Sequence, residues 1–539
     1  LYFRNVLDEP IRPTLDSLYQ YDPIVDLKIP SRAVPVLSKD EIIKKIPFSV
    51  PAFGHLQNPN SRFDHHVYAG GFSIFHGIST MARPANSFDN LAAAVEFRMV
   101  RVPRNDPDRD FLKSLVPLFP AVGSFFVTGP EEDNRVFLKL RSGQKRSINA
   151  CRQLVVKNQY FAKHTTVFCK GDEYKSSYLD FIPRLIFNCH HYYLDKLGSV
   201  VGQLSKVFST VVWPSVWKPY CVSNGKIVSA YYTTGAISTD LNRYVNYAMT
   251  QKAVSIMVNG DDTWAIDNTQ SPIFIECDYR KFDATQSEPL RDVFHQFLDV
   301  NMLQEYTAIW KDLYNERVTY RNRKTGKAVL FKGKTGFLTG EPGTSVRNSF
   351  TNILVTTRAI TSIDPIAAYT KAGLLPKYKS GKEHYRTFLR GVFLLNQQHQ
   401  LCWIKMPSFL LKFGKFFTNP YSVYPSSWSA SKKLQQMLLS TWLGYGHMNS
   451  NWFYGAIGKN IFRLCPDAIK IAGKNSEYNV FCNDKEYIMD EDFDSFMLYR
   501  YSITHSMMVS FVEFLNSVPS IPCRYWHPLL NVLEEIDYF

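Results

Sequence analysis

"AVSIMVNGDDTWAIDNTQSPIFIECDYRKFDATQ", Ala253 to Gln286, sets four aspartates, Asp261, Asp262, Asp278 and Asp283, at the ends of strand-like runs. Ala253 to Val258 and Thr263 to Ile266 are apolar or β-branched, and Asn259-Gly260-Asp261-Asp262 between them is a strong hairpin signal. A second turn signal, Asp267 to Pro272, returns the chain into Ile273 to Asp278, which again reads as strand. From Asp262 to Ile266 the chain descends roughly 13 Å, and from Ile273 to Asp278 it climbs roughly 17 Å, at about 3.3 Å per residue. The aspartates therefore meet at one edge of a three-strand meander. With strands about 4.8 Å apart, Asp261 and Asp278 can flank cations about 3.5 to 4 Å from each other, the spacing used for in-line phosphoryl displacement. A lone Gly-Asp-Asp is more often a solvated surface hairpin, so the reading depends on two further stretches.

In "TGEPGTSVRNSFTNILVTTRAI", Thr339-Gly340 and Gly343 form a flexible loop, Thr344 or Ser345 can N-cap, and Val346 to Ile360 has helical apolar spacing. Asn348 then lies in the first helical turn, where its amide could meet Asp283 and read a ribose 2′-hydroxyl with it. In "VFCKGDEYKSSYLDFIPRLIF", Val167 to Phe187, Lys170, Lys175 and Arg184 alternate with tyrosines and apolar residues, a pattern that can present cations to a triphosphate.

Together these stretches resemble the viral RNA-dependent RNA polymerases, over about Val167 to Leu395. "DYRKFD" looks like the family's first palm motif, which implies that Asp278 binds metal and Asp283 senses the ribose. "TGEPGTSVRN" looks like the second, with Thr339-Gly340, Thr344 and Asn348 in place, Thr339 standing where many members carry serine. "GDD" looks like the third, implying that Asp261 ligates metal and Asp262 supports it. "IPRLIF" resembles the basic fingers motif, implying that Arg184 contacts the triphosphate with Lys170 as helper, and "RTFLRGVFLL" from Arg386 resembles the hairpin between palm and thumb that touches the primer end. Most such polymerases place Gly-Asp-Asp last of the three palm motifs, whereas Asp261 here precedes Asp278 by 17 residues and precedes Asn348 as well. That permuted palm order is similar to the permutotetravirus and birnavirus polymerases, the permutotetravirus-like group being the closer match.

The resemblance implies an α+β right-hand fold with an antiparallel palm sheet: residues 1–165 as an N-terminal extension and part of the fingers, 166–242 fingers, 243–395 palm, and 396–539 thumb and C-terminal region. It implies two-metal catalysis with Mg²⁺ or Mn²⁺ held by Asp278, Asp261 and Asp262. A lysine that protonates the departing pyrophosphate is also implied, on a loop after the second palm helix. "YTKAGLLPKYKSGK" offers Lys377, Lys379 and Lys382, of which Lys379 is preferred. The implied partners are RNA template and nascent RNA, ribonucleoside triphosphates, and a protein primer or self-linked nucleotide as one way to start. Host cytoplasm, in a free or membrane-associated replication complex, or the virion is the implied location. A reverse transcriptase and a noncatalytic RNA-binding scaffold are the competing readings.

Composition agrees. Lys plus Arg number 62 against 48 Asp plus Glu, a net charge of +14, which suits a channel that neutralises phosphates. Nine cysteines with no Cys-x-x-Cys pair predict reduced thiols, neither a disulfide framework nor a zinc site. There is no apolar run of membrane-spanning length. The acidic "MDEDFDSFM", Met489 to Met497, is read as complementing a helix dipole, and the pairs His65-His66 and His190-His191 as surface or packing residues.

Overall fold

The computed structural model describes residues 105–126, 142–157, 164–170, 182–215, 219–315, 317–321, 328–331, 339–382, 384–411, 424–444, 451–466, 487–519 and 527–538, with short pieces of 63–102, 137–140, 413–416 and 523–525. Its centre is a six-stranded sheet of β3 (Cys221–Ser223), β4 (Lys226–Tyr232), β5 (Val254–Asn259), β6 (Asp262–Asp267), β7 (Ile273–Tyr279) and β10 (Pro376–Gly381), in the order β10-β7-β6-β5-β4-β3. Every neighbouring pair is antiparallel except β4 with β5, which the helix α2 (Ser238–Thr250) connects as a crossover. The expected meander is thus β5-β6-β7, with Thr263 opposite both Val258 and Cys277.

Strand alternation splits this sheet between two cores. Ile256, Val258, Ala265, Ile275 and Cys277 face α1 (His191–Val207), α3 (Glu288–Val300) and α5 (Thr344–Thr361). Met257, Trp264, Ile266 and Phe274 face α2 and a three-stranded sheet of β11 (Thr387–Phe388), β12 (Gly391–Leu395) and β13 (Leu401–Lys405). With both faces covered, the run Val254 to Val258 is buried at every position and apolar at all but Ser255, rather than alternating.

The helix α5 is buried on nearly all sides although it is rich in β-branched residues of modest helix propensity, so packing rather than propensity holds it. Two of its buried threonines bond backward along the helix, Thr357 Oγ1 to Ile353 O (2.7 Å) and Thr361 Oγ1 to Thr357 O (2.8 Å). Phe350 at its centre meets the rings of Phe297 and Phe294, with centroids 4.5 and 5.3 Å away.

A four-stranded sheet has the order β9 (Ala328–Phe331), β8 (Arg317–Arg321), β1 (His164–Cys169), β2 (Leu185–Asn188); along the chain β2 precedes α1, and α4 (Gln304–Asn315) precedes β8. A separate core gathers α6 (Ala430–Leu443), α7 (Trp452–Leu464), α8 (Asp490–Tyr501), α9 (His505–Ser517) and α10 (Pro528–Tyr538) around Trp442, Phe453, Phe493 and Phe511. Short pairings join the chain's early part to this region: Tyr68–Ala69 with Lys415–Phe416, and Phe72–Ile74 with Cys523–Tyr525. The acids of "MDEDFDSFM" do open α8, but Asp492 also accepts from Arg386 Nη1 (3.1 Å) and Leu395 N–H (2.7 Å), tying α8 to β12. His190 N-caps α1 through Nδ1, while His65-His66 lie outside the described residues. Cys151, Cys169, Cys189, Cys221, Cys277, Cys402 and Cys465 are free thiols, and no helix among the described residues is long and apolar enough to cross a membrane.

Candidate active site

The β5–β6 hairpin closes in two residues, Gly260 and Asp261, with Asn259 paired to Asp262. Its tip is fastened to α5: Gly260 N–H donates to Ser349 Oγ (2.8 Å), and Asn352 Nδ2 donates to Gly260 O (2.9 Å). Asn352 Oδ1 accepts from the hydroxyls of Thr263 (2.9 Å), Tyr279 (2.8 Å) and Thr356 (2.9 Å), so one buried amide joins the hairpin, β7 and α5. Sequence reading missed Asn352, although its position four residues after Asn348 puts both on one helix face.

Extending the β6–β7 register beyond Thr263 and Cys277 brings Asp262 opposite Asp278. Asp278 Oδ1 accepts from Tyr279 N–H (2.8 Å) and Oδ2 from Lys377 Nζ (2.7 Å), with both side chains about half exposed. Asp261 and Asp262 flank Asp278 from two electrostatic neighbourhoods. Packing raises the Asp261 carboxyl above its ordinary range, with Asp283 and Asp278 adding repulsion and Arg184 opposing it. Asp262 is pushed up to about 7 by burial, then by Asp261 and Asp278, against the pull of Arg390 and Lys377.

Asp283 sits in a one-turn helix, Phe282–Thr285, just beyond β7. Its Oδ1 accepts from Asn348 Nδ2 (2.7 Å) and its Oδ2 from Thr339 Oγ1, and burial raises its pKa despite both bonds and Arg184. Gln286 Nε2 donates to Asn348 Oδ1 (2.8 Å), which turns the amide so that its NH₂ meets Asp283. The loop before α5 approaches β2 closely: Phe187 N–H donates to Thr339 O (2.8 Å), and at Gly340 (φ +103°) a Cβ would lie 2.9 Å from Phe187 O. The N-cap of α5 is Gly343, not Thr344 or Ser345. Thr344 instead donates Oγ1–H to Glu341 O (2.9 Å), because the loop enters the helix through a left-handed residue, φ +84°.

Lys170 follows β1 and its N–H donates to Arg184 O (2.8 Å), so the two residues are cross-strand neighbours, and Arg184 acts on both Asp261 and Asp283. Lys175 lies outside the described residues. The lysine segment is not a loop but the edge strand β10, in which Lys379 faces Glu276 and Lys377 faces Asp278. The lysine that reaches the carboxylates is therefore Lys377 rather than Lys379. Arg390, also missed from sequence, stands with Leu389 on the β11–β12 turn, both at positive φ (57° and 52°), and is felt by Asp262.

Among the described residues, no three His, Cys, Asp or Glu side chains are grouped so as to hold a metal ion. Lys377 pairs with Asp278, Arg184 acts on Asp261, and Arg390 and Lys377 act on Asp262. In chemistry the donors do fit Mg²⁺ or Mn²⁺, being hard carboxylate oxygens whose mutual repulsion a divalent cation would relieve.

The RNA-dependent RNA polymerase of a human picorbirnavirus has a similar structure, with a TM-score of 0.50 at 12% identity over 82% of this chain and 88% of that one. An insertion-loop deletion mutant of such a polymerase gives 0.49 at 11% identity over 94% of this chain and 100% of that one. No family profile and no curated protein matches the chain. At such identity the likeness is one of fold: this chain has a viral RNA-dependent RNA polymerase-like fold of helices around a mostly antiparallel sheet.

Proposed function

We propose that this chain is an RNA-directed RNA polymerase of a virus, with an N-terminal extension and part of the fingers (1–165), fingers (166–242), palm (243–395, in permuted motif order), and thumb and C-terminal region (396–539) as the sequence suggests. The observation that carries the reading is the grip of Thr339 and Asn348 on Asp283, beside a sheet edge that brings Asp278 to the Gly-Asp-Asp turn. Order along the chain matters little, since the carboxylates need only share an edge.

Asp278 and Asp261, with Asp262 in support, would hold Mg²⁺ or Mn²⁺, which when bound lowers the pKa of the primer 3′-hydroxyl and neutralises the triphosphate. Arg184 and Lys170 orient the incoming triphosphate. Asp283 and Asn348 offer an acceptor and a donor to the ribose 2′-hydroxyl. Lys377 Nζ, on leaving Asp278, delivers a proton to the departing pyrophosphate oxygen. RNA template, ribonucleoside triphosphates and a site of action in the host cytoplasm or virion belong to the same proposal.

Primer extension on a homopolymer template with ribonucleotides and Mg²⁺ or Mn²⁺ tests it. Asp278→Ala and Asp261→Ala should abolish incorporation while RNA affinity stays within about threefold, because these carboxylates serve the transition state and not the duplex. Incorporation surviving either substitution refutes the site, and a preference for deoxynucleotides favours a reverse transcriptase.

A further inference from the structure

We infer that the buried ion pair Glu341–Arg347 is a positioning device for sugar recognition, orienting the loop before α5 and the first turn of α5 so that Thr339 and Asn348 grip Asp283 together. The inference rests on the polymerase reading. Arg347 Nη1 donates to Glu341 Oε1 at 2.6 Å with both side chains fully buried, and Tyr314 OH donates to the same oxygen at 2.9 Å. The guanidinium lies over the rings of Phe294 and Trp310, each 5.2 Å away. An apolar pair of similar volume would fill this space at little or no loss of stability, so what the charges add is direction.

Three arms carry that direction to Asp283. Arg347 and Asn348 are consecutive and so project about 100° apart around the helix; pinning Arg347 against α3 and α4 fixes the azimuth at which Asn348 meets Asp283. Glu341 is two residues from Thr339, and Trp310 Nε1–H donates to Pro342 O (3.4 Å), so the loop cannot shift without disturbing the pair. Arg291, stacked over Tyr314 at 4.5 Å, donates Nη1–H to Gln286 O (3.2 Å), and Gln286 in turn holds the Asn348 amide. None of these groups touches Asp283, yet both donors to it depend on them.

The test is steady-state primer extension by the full chain, measuring kcat and KM for a ribonucleotide and its deoxy counterpart, in wild type, Glu341→Gln, Tyr314→Phe, Asn348→Ala and the double variant E341Q/N348A. Glu341→Gln should lower the ribo-over-deoxy preference by about tenfold or more, through a raised KM for the ribonucleotide with deoxy kcat/KM unchanged. Tyr314→Phe, which keeps both charges, should lower it by about twofold to fivefold and carries the test if Glu341→Gln does not fold. The double variant should be no worse than Asn348→Ala alone, since both act through one contact. A preference at the wild-type level in both Glu341→Gln and Tyr314→Phe while Asn348→Ala loses it, or equal losses for both sugars, overturns the inference. Wild type that incorporates neither sugar overturns the polymerase reading instead, and this inference with it.

Discussion

Replacing Asn352 by alanine should unfasten the hairpin that carries Asp261 and Asp262. The fully buried amide makes four hydrogen bonds, but they are not equally costly to lose. Tyr279 OH and Thr356 Oγ1 lie 3.4 Å apart and can bond each other, and Thr356 keeps Tyr369 OH at 3.2 Å. Gly260 O, on a half-exposed turn, can turn to water. Thr263 Oγ1 is the group stranded in the core, at about 1–3 kcal/mol, and the lost volume adds about 1 kcal/mol. The expected loss is about 2–4 kcal/mol in urea denaturation followed by near-ultraviolet circular dichroism, with nucleotide incorporation falling at least tenfold under conditions where the variant is folded. Asn352→Asp separates the causes: it keeps the volume and accepts the same hydroxyls but sets a carboxylate oxygen against Gly260 O. Both variants within 0.5 kcal/mol of wild type (~0.5 being the scatter of neutral substitutions) and with full turnover would refute the claim that this amide holds the hairpin.

Lys377→Met should change stability by less than about 0.5 kcal/mol, because the pair is half exposed, while a Mn²⁺ titration read by electron paramagnetic resonance in the absence of RNA shifts to lower concentration. An unshifted midpoint would show that Lys377 does not compete for Asp278. His295, buried on α3, has its pKa lowered by burial despite its bond to Asp292, so the unfolded chain takes up a proton that the fold resists. Its contribution is present above pH 6.5, the ordinary histidine value, and is lost as pH falls below it, at up to about 1.4 kcal/mol per pH unit. Denaturation midpoints of His295→Gln should be flatter across that window, and an unchanged profile would exclude the histidine as a source. Arg390→Gly should stabilise the β11–β12 turn by about 1 kcal/mol, since φ of 57° strains a residue with a side chain, yet weaken incorporation by removing a cation beside Asp262. A destabilised variant would mean that Arg390 contributes more through contacts than strain costs.

The meander was legible because its signals are local: β-branched runs, Asn-Gly at one turn and Asn-Thr-Gln-Ser-Pro at the other. The helix α3 carries a signal of the same local kind, Ser287 accepting from Leu290 N–H at its start. The strand β10 was not, because "PKYKSG" forms a sheet edge with one side in solvent, and a polar edge strand carries the composition of a loop. Nor was the parallel pairing of β4 with β5, which depends on a crossover and on no adjacent turn. In the site, individual acids could be picked out by residue type, but Gln286 and the Glu341–Arg347 pair act through partners that their own neighbourhoods do not mark, and Asn352 is marked only by its spacing from Asn348. Lys377 illustrates the same limit: it and Lys379 lie two positions apart on β10 and differ in which residue of β7 each one faces, while Lys382 falls beyond the strand.

The charges explain why the edge needs several elements around it. Asp261, Asp262, Asp278 and Asp283 all lie in or beside the β5–β6–β7 meander, yet the cations that act on them come from elsewhere: Arg184 from the residue before β2, Lys377 from β10, Arg390 from the β11–β12 turn. The meander alone would concentrate negative charge at one end with nothing to balance it, and repulsion would splay the hairpin from β7. The surrounding sheets therefore do two jobs at once, covering the apolar faces and bringing positive charge to a common rim. None of these contacts refers to whether the hairpin or β7 comes first along the chain. A rearranged connection that preserved the pairing of β6 with β7 and the packing of α5 beneath them would leave every one of these charge contacts in place, whereas breaking β10 from β7 would strand Asp278 even with all four aspartates present.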